Sequence, residues 1–186
     1  MRFDLEEFRS KVWISSFDGK IDAATIMQAV QEKLPNATVQ LFDLDRIAGS
    51  RHLFLAAYNA EKSYNSRRRI SRSLSMEILL FVSGTRQITE ALERVGINRA
   101  TTRSAVLAIA SSDQAITKIS NLLIEKFNQN DDDRLLDIWT KERRVSVRRV
   151  FSIGLKELKA TYRTGEMDKA IEKLAIERSA MLAIAK

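Results

Sequence analysis

Serine, glycine, arginine and glutamine stand together in the segment SGTRQI, between two apolar helical patterns. Gly84 is expected to end the first helix in a left-handed conformation, and Thr85 is expected to cap the next. Free amide groups at a helix start attract anions, and Arg86 and Gln87 fall in the predicted first turn. An arginine there opposes the helix dipole, which indicates either an anion-binding role or a packing contact within the fold. The sequence alone leaves both interpretations open.

A second group of cationic residues precedes the more apolar of these helices. The segment SRRRISR contains four arginines, namely Arg67, Arg68, Arg69 and Arg72. Arginines beside a loop hold phosphates through paired hydrogen bonds, but a run of charge also keeps a loop tip solvated. The chain as a whole carries a net charge of +7, which suits a polyanion partner such as RNA but also occurs in cytoplasmic proteins without that role. A further cationic set, Lys141, Arg144 and Arg148, lies on one predicted helix face and is typical of a solvated surface.

Side chains suited to covalent or acid–base catalysis are scarce. The absence of cysteine excludes disulfides, thiolate metal sites and a cysteine nucleophile. The one histidine, His52, falls in a predicted first helical turn, where capping or core packing is the favoured role. Glu77 lies inside an apolar helical pattern and needs a partner such as Arg86 or a backbone amide. No phosphate-binding or dinucleotide motif occurs, so we expect no catalytic site, metal, cofactor or small-molecule substrate.

The bulk composition predicts a single α+β domain over residues 1–186. Hydrophobic residues make up 45% of the chain and only one proline occurs, which suits one core without a flexible linker. The first residues are broken by charge, so we expect neither a signal peptide nor a membrane contact. Together with the lack of cysteine, this predicts a cytoplasmic location.

Hydrophobic periodicity predicts a mixed α/β domain, with a small sheet of about four strands packed with about seven helices. Strands are expected at KVWISSFDG, ATVQLFDLDRIAG and SAVLAIASS, with RLLDIWT as a candidate short last strand. Helices are expected at residues 22–34, 50–65, 71–84, 85–96, 113–127, 141–162 and 168–186.

The segments LFDLDRIAGSRHLFLAAYNAEKS and ISRSLSMEILLFVSGTRQITEALERVGI closely resemble the archaeal-like Cgi-type subunit of the KEOPS complex, whose animal relative is the PRPK-binding protein. The matching features are His52, Ser73, residues 76–79, residues 83–88 and Gly96–Ile97. The resemblance is specific over about residues 39–125 and returns at the closing segment AIEKLAIERSAML.

This resemblance implies a non-catalytic subunit of the complex that places threonylcarbamoyl on a tRNA adenosine. It implies binding to a Bud-type atypical kinase that works as an ATPase, alongside a Kae-type transferase and a small dimerising subunit. In archaeal-like systems it also implies capture of tRNA by its CCA end. A regulatory subunit that binds the kinase without RNA is the alternative. The expected RNA-binding residues are Ser83, Gly84, Arg86 and Gln87, together with Arg67, Arg68, Arg69 and Arg72.

The last predicted helix has two apolar faces, of which one can pack on the core and the other can meet a partner. Met167, Ala170, Ile171, Leu174 and Met181 form one face, and Ile176, Ala180 and Ala183 lie opposite. Which face meets the kinase stays open. The expected kinase contacts therefore come from both faces: Ile171, Leu174, Ile176, Ala180 and Ala183.

Overall fold

A four-stranded antiparallel sheet forms the centre of the computed structural model, which describes residues 1–66, 68–162 and 166–184. Its strands are β1 (Arg2–Leu5), β2 (Ser10–Asp18), β3 (Thr38–Asp43) and β4 (Arg103–Ala110), in the spatial order β1-β2-β4-β3. Strand β4 pairs with both β2 and β3, so it lies inside the sheet and its side chains are almost all buried.

Eight α-helices surround this sheet in the described residues. They are α1 (Ala23–Lys33), α2 (Ser50–Tyr64), α3 (Leu74–Ser83), α4 (Ile88–Val95), α5 (Asp113–Phe127), α6 (Lys141–Val150), α7 (Leu155–Thr161) and α8 (Met167–Ile184). Short 3-10 turns occur at Glu6–Phe8, Leu44–Arg46 and Asp133–Asp137. None of the helices described here is both long enough and apolar enough to cross a bilayer.

Alternating side chains of β2 contribute to a separate core on each face of the sheet. Val12 and Ile14 pack with residues of α2 and α3, while Trp13 and Phe17 pack with residues of α1 and α5. Successive side chains of a strand point to opposite faces, which explains why β2 is buried without a break from Val12 to Phe17. A third apolar cluster joins α6, α7 and α8 beyond the sheet.

The α+β fold class and the four-stranded sheet confirm the sequence prediction, but the fourth strand is a different one. It is β1, an edge strand in which exposed and less exposed side chains alternate. The exposed positions accept charged residues, and these interrupt the apolar pattern by which a strand is predicted. The candidate strand at RLLDIWT instead contains the 3-10 turn Asp133–Asp137, which packs against β2 without joining the sheet.

The helix expected over residues 141–162 is also divided in two. Helix α6 ends at Val150 and α7 begins at Leu155. Between them Ser152 has a positive φ of 51°, while Phe151 and Ile153 on either side of it are buried. Both side chains can be buried only because the chain turns sharply here. Their packing in the core outweighs the helix propensity of the local sequence.

Candidate nucleic-acid interface

A cleft of about 760 Å³ opens where the end of α2, the following arginine-rich loop and the end of α8 meet. Apolar side chains of α8 and polar side chains of α2 and the loop both contribute to its lining. The lining residues are Asn59, Lys62, Ser63, Ser66, Arg68, Arg69, Ile70, Arg86, Leu182, Ala183 and Ile184. The cleft thus combines an apolar wall with a strongly polar one.

The electrostatics of this cleft are one-sided. Four cationic side chains line it, and no aspartate or glutamate appears among its described lining residues. Three of them, Lys62, Arg68 and Arg69, are exposed and form no ion pair within the described part of the chain. Uncompensated charge of one sign in a concave site concentrates ligands of the opposite sign. The cleft is therefore suited to a polyanion.

Glu77 holds the arginine-rich loop in place from beneath. Its buried carboxylate accepts hydrogen bonds from the backbone amides of Ile70 (3.1 Å) and Ser71 (2.8 Å). The hydroxyls of Ser71 (2.8 Å) and Ser63 (2.6 Å) also donate to it. The expectation of a backbone-amide partner for Glu77 is confirmed, and the carboxylate acts as the brace of the loop.

Replacing Glu77 with glutamine is expected to lower the free energy of unfolding by about 2–3 kcal/mol, because hydrogen bonds to a carboxylate lose strength and the new amide meets existing donors. Chemical denaturation would measure the loss. Glu93→Gln, at an exposed position on α4, is the matched control and should change the free energy little. A Glu77→Gln loss below about 0.5 kcal/mol would rule out the brace.

The corner between α3 and α4 matches the prediction only in part. Gly84 is left-handed, with φ of 67°, and ends α3 as expected. Helix α4, however, begins at Ile88, so Arg86 and Gln87 precede its first turn. Thr85 donates its hydroxyl to Glu90 (2.5 Å), and that carboxylate already faces the helix start. Because Glu90 lies in the first turn of α4, its negative charge opposes binding of an anion at this helix start.

The predicted RNA-binding residues separate into two groups. Arg68, Arg69 and Arg86 line the cleft together. Ser83 is fully buried and its hydroxyl donates to the carbonyl of Leu80 (3.0 Å). The second group, outside the cleft lining, consists of Ser83, Gly84, Gln87 and Arg72. Arg67 lies outside the described residues.

Gly84 has a packing role at this corner. A Cβ added to it would lie 3.4 Å from the backbone carbonyl of Arg178 in α8. The left-handed backbone and this close approach together explain why glycine stands here. The corner thus holds the end of α8 beside the cleft.

Sequence reasoning missed the cleft residues supplied by α2 and α8. Asn59, Lys62 and Ser66 recur at helical spacing and lead directly into the arginine run, a signal that was available in the sequence. The apolar wall from Leu182 to Ile184 follows α2 by more than a hundred residues, and no local pattern connects the two segments.

Buried His52 fixes α8 against α2 one turn before the cleft. The amide of Ala48 donates to Nδ1 (3.3 Å), so Nε2 carries the proton and donates to the hydroxyl of Ser179 (2.9 Å). Phe151 packs edge-on against the ring. Burial lowers the pKa of His52 to about 4. Its interpretation as a core residue is confirmed.

His52 is expected to make the fold acid-sensitive. Below pH 6.5 the unfolded chain binds a proton on this ring and the folded chain does not, so stability falls as the pH falls. Between pH 6.5 and 5 the free energy of unfolding should drop by about 1.5 kcal/mol from this group alone. Denaturation at several pH values would measure this slope.

His52→Gln is the matched variant because its amide can serve both hydrogen-bond partners without titrating. Its free energy of unfolding should be nearly flat over the same pH range. An equal slope in both proteins would show that another group is responsible.

The residues expected at a kinase interface also divide between the inside and the outside of the fold. Ile171 and Leu174 are buried in the cluster shared by α6, α7 and α8, where no partner can reach them. Ile176 is half-buried, while Ala180 and Ala183 are exposed. The accessible apolar surface of α8 therefore lies towards its end, where Met181 and Ile184 are 56% and 70% exposed.

A family model described as kinase binding protein CGI-121 matches residues 19–185. The chain belongs to this CGI-121 family. The match begins directly after β2 and covers all eight helices, so the cleft and the exposed end of α8 both lie within the family region. The resemblance to the Cgi-type, PRPK-binding family is thereby confirmed. A comparison with curated proteins gave no match.

Membership of the CGI-121 family assigns the chain to kinase-binding proteins. Binding needs accessible surface, and α8 offers it at the end that also borders the cleft. The described residues contain no cluster of three or more potential metal-ligating side chains. The site therefore combines two adjoining surfaces, one cationic and one apolar.

Proposed function

We propose that this chain is a non-catalytic subunit of the KEOPS complex, where it docks on the Bud-type kinase and receives the CCA end of tRNA. The observation that carries the RNA half is the cleft itself, with four cations, an apolar wall and no carboxylate among its described lining residues. The family description supports the kinase half. Contact with the Kae-type transferase and the small dimerising subunit would follow from membership of the complex.

The cationic and the apolar lining residues of the cleft match the phosphate and the base of an unpaired nucleotide. Lys62, Arg68 and Arg69 can hold phosphates, since their side chains are exposed and have no carboxylate partner in the described chain. Leu182 and Ile184 offer an apolar surface to a base, and Asn59 offers an amide for its edge. A single-stranded RNA end suits this arrangement better than a duplex, because the bases of a duplex are already stacked.

Binding to tRNA with and without its CCA end tests the RNA half. We expect the intact tRNA to bind at least tenfold more tightly than tRNA lacking these three nucleotides, since the cleft accepts the unpaired end. Equal affinity for both would reject the end-capture mechanism. No measurable affinity for either at low salt would favour the alternative, a regulatory subunit that contacts only the kinase.

Co-purification with the kinase tests the other half. Met181→Asp places a charge on the exposed apolar end of α8 and is expected to abolish the complex. Val145→Asp is the matched control, because Val145 is 49% exposed and lies on α6. If the Val145 variant loses the kinase and the Met181 variant retains it, the docking face is on α6 instead.

A further inference from the structure

The exposed face of α2 continues from the cleft towards the start of the helix. Lys62 and Asn59 line the cleft, and Tyr58 lies one turn before Lys62. Arg51, also exposed, lies eleven residues before Lys62, which is about 16 Å along the helix axis. An RNA strand that leaves the cleft in this direction would therefore meet an aromatic ring and then another cation.

Tyr58 is held rigidly on this face. Its half-buried ring packs against Phe8, with 5.6 Å between the ring centroids, and its hydroxyl donates to Glu7 (2.9 Å). The ammonium of Lys62 lies over the ring, 5.8 Å from its centroid. A ring that packs against the fold and is contacted by a flexible lysine provides a surface on which a flat group can stack.

We propose that Tyr58 forms a second RNA subsite, which stacks the base of an unpaired nucleotide preceding the two held in the cleft. This inference rests on the proposed function of the cleft. The base takes the place of the Lys62 ammonium over the ring, and that ammonium turns to the adjacent phosphate. No bond is made or broken, because the subsite only binds.

Charge favours RNA over a protein segment at this face. Lys62 and Arg51 flank the ring along the helix, and the cleft beyond it carries Arg68 and Arg69. Glu172 lies near enough to Arg51 to interact with its charge, and Glu7 opposes the charge at the ring itself, since its carboxylate accepts from the phenol. Removing that charge should therefore strengthen binding to RNA, whereas it would weaken binding to a basic peptide.

The subsite is tested with two RNA ligands, the dinucleotide CA and a pentanucleotide that ends in CCA. Tyr58→Ala should lower the affinity for the pentanucleotide about tenfold and leave the dinucleotide unchanged, since only the longer ligand reaches the ring. Tyr58→Phe should bind both within about twofold of the unsubstituted chain. Glu7→Gln keeps a hydrogen-bond acceptor and should tighten the pentanucleotide about two- to threefold at low salt.

Fluorescence of 2-aminopurine in the pentanucleotide gives a readout that needs no variant. Placed at one of the two nucleotides before the CA end, it should be quenched on binding, as expected for a stacked base. Unchanged fluorescence at both positions, or equal losses for both ligands in Tyr58→Ala, would overturn the subsite and leave the cleft in place. Failure of both ligands and of intact tRNA to bind would instead reject the proposed function.

Discussion

Replacing Arg143 with methionine is expected to lower the free energy of unfolding by about 4 kcal/mol, the scale of a buried charged group whose partners are left unpaired. The side chain is fully buried. It donates to the carbonyls of Ile47 (3.0 Å), Leu135 (3.0 Å), Leu136 (2.6 Å) and Ile138 (2.7 Å). One guanidinium thus joins α6 to the segment before α2 and to the 3-10 turn after α5.

Burial lowers the pKa of Arg143 to about 10, so the group is still charged at neutral pH. Methionine fills much of the volume but leaves four buried carbonyls without a donor. Chemical denaturation measures the loss, and Arg149→Met, at an exposed position of the same helix, is the control that should cost less than about 0.5 kcal/mol. Equal effects of the two substitutions would show that the carbonyl contacts contribute nothing.

Replacing Lys62, Arg68 and Arg69 together with glutamine is expected to weaken tRNA binding about a thousandfold at low salt. Hydrogen bonds to charged groups contribute about 1.5–3 kcal/mol each, and three are lost. The slope of log affinity against log salt should also fall by about 2, because three fewer counterions are released from single-stranded RNA. Titration at several salt concentrations measures both quantities.

The control for this variant carries the same change in net charge. Arg149, Lys156 and Lys159 are exposed on α6 and α7 and lie outside the cleft lining, and replacing them with glutamine removes three positive charges. We expect this control to bind within a few-fold of the unsubstituted chain, with its salt slope nearly unchanged. Equal weakening by both triple variants would mean that overall charge, and not the cleft, attracts the RNA.

Much of the fold could be read from local patterns. Strand β4 and helix α3 are almost entirely apolar, and both were predicted because burial on all sides leaves a continuous hydrophobic run. Edge strand β1 escaped prediction because exposure allows charged residues to alternate along it. The break at Ser152 also escaped, since it is imposed by packing of the neighbouring side chains into the third cluster.

The candidate site was harder to predict because its parts come from distant segments. The arginine run drew attention to this loop, and Arg68 and Arg69 line the cleft. From the corner before α4, both Arg86 and Ser83 were expected in the site. Arg86 lines the cleft, whereas Ser83 is fully buried. Successive side chains of a helix point about 100° apart around its axis. An error of one residue in a predicted helix boundary therefore exchanges buried and exposed positions.

The same packing that stabilises the fold sets the geometry of the cleft. Glu77 fixes the arginine-rich loop, and His52 fixes α8 through Ser179. Helix α8 then supplies the apolar wall of the cleft and, at the same end, the exposed surface proposed for the kinase. The two proposed partners would therefore meet neighbouring parts of one helix.

Photo-crosslinking from the 3′ end of tRNA tests the central claim most directly. An 8-azidoadenosine placed as the last nucleotide should crosslink to peptides that contain the cleft-lining residues Lys62, Ile70 or Ile184. The Lys62, Arg68 and Arg69 triple variant should lose these crosslinks. Crosslinks confined to α6 and α7, with none in the cleft peptides, would contradict the account.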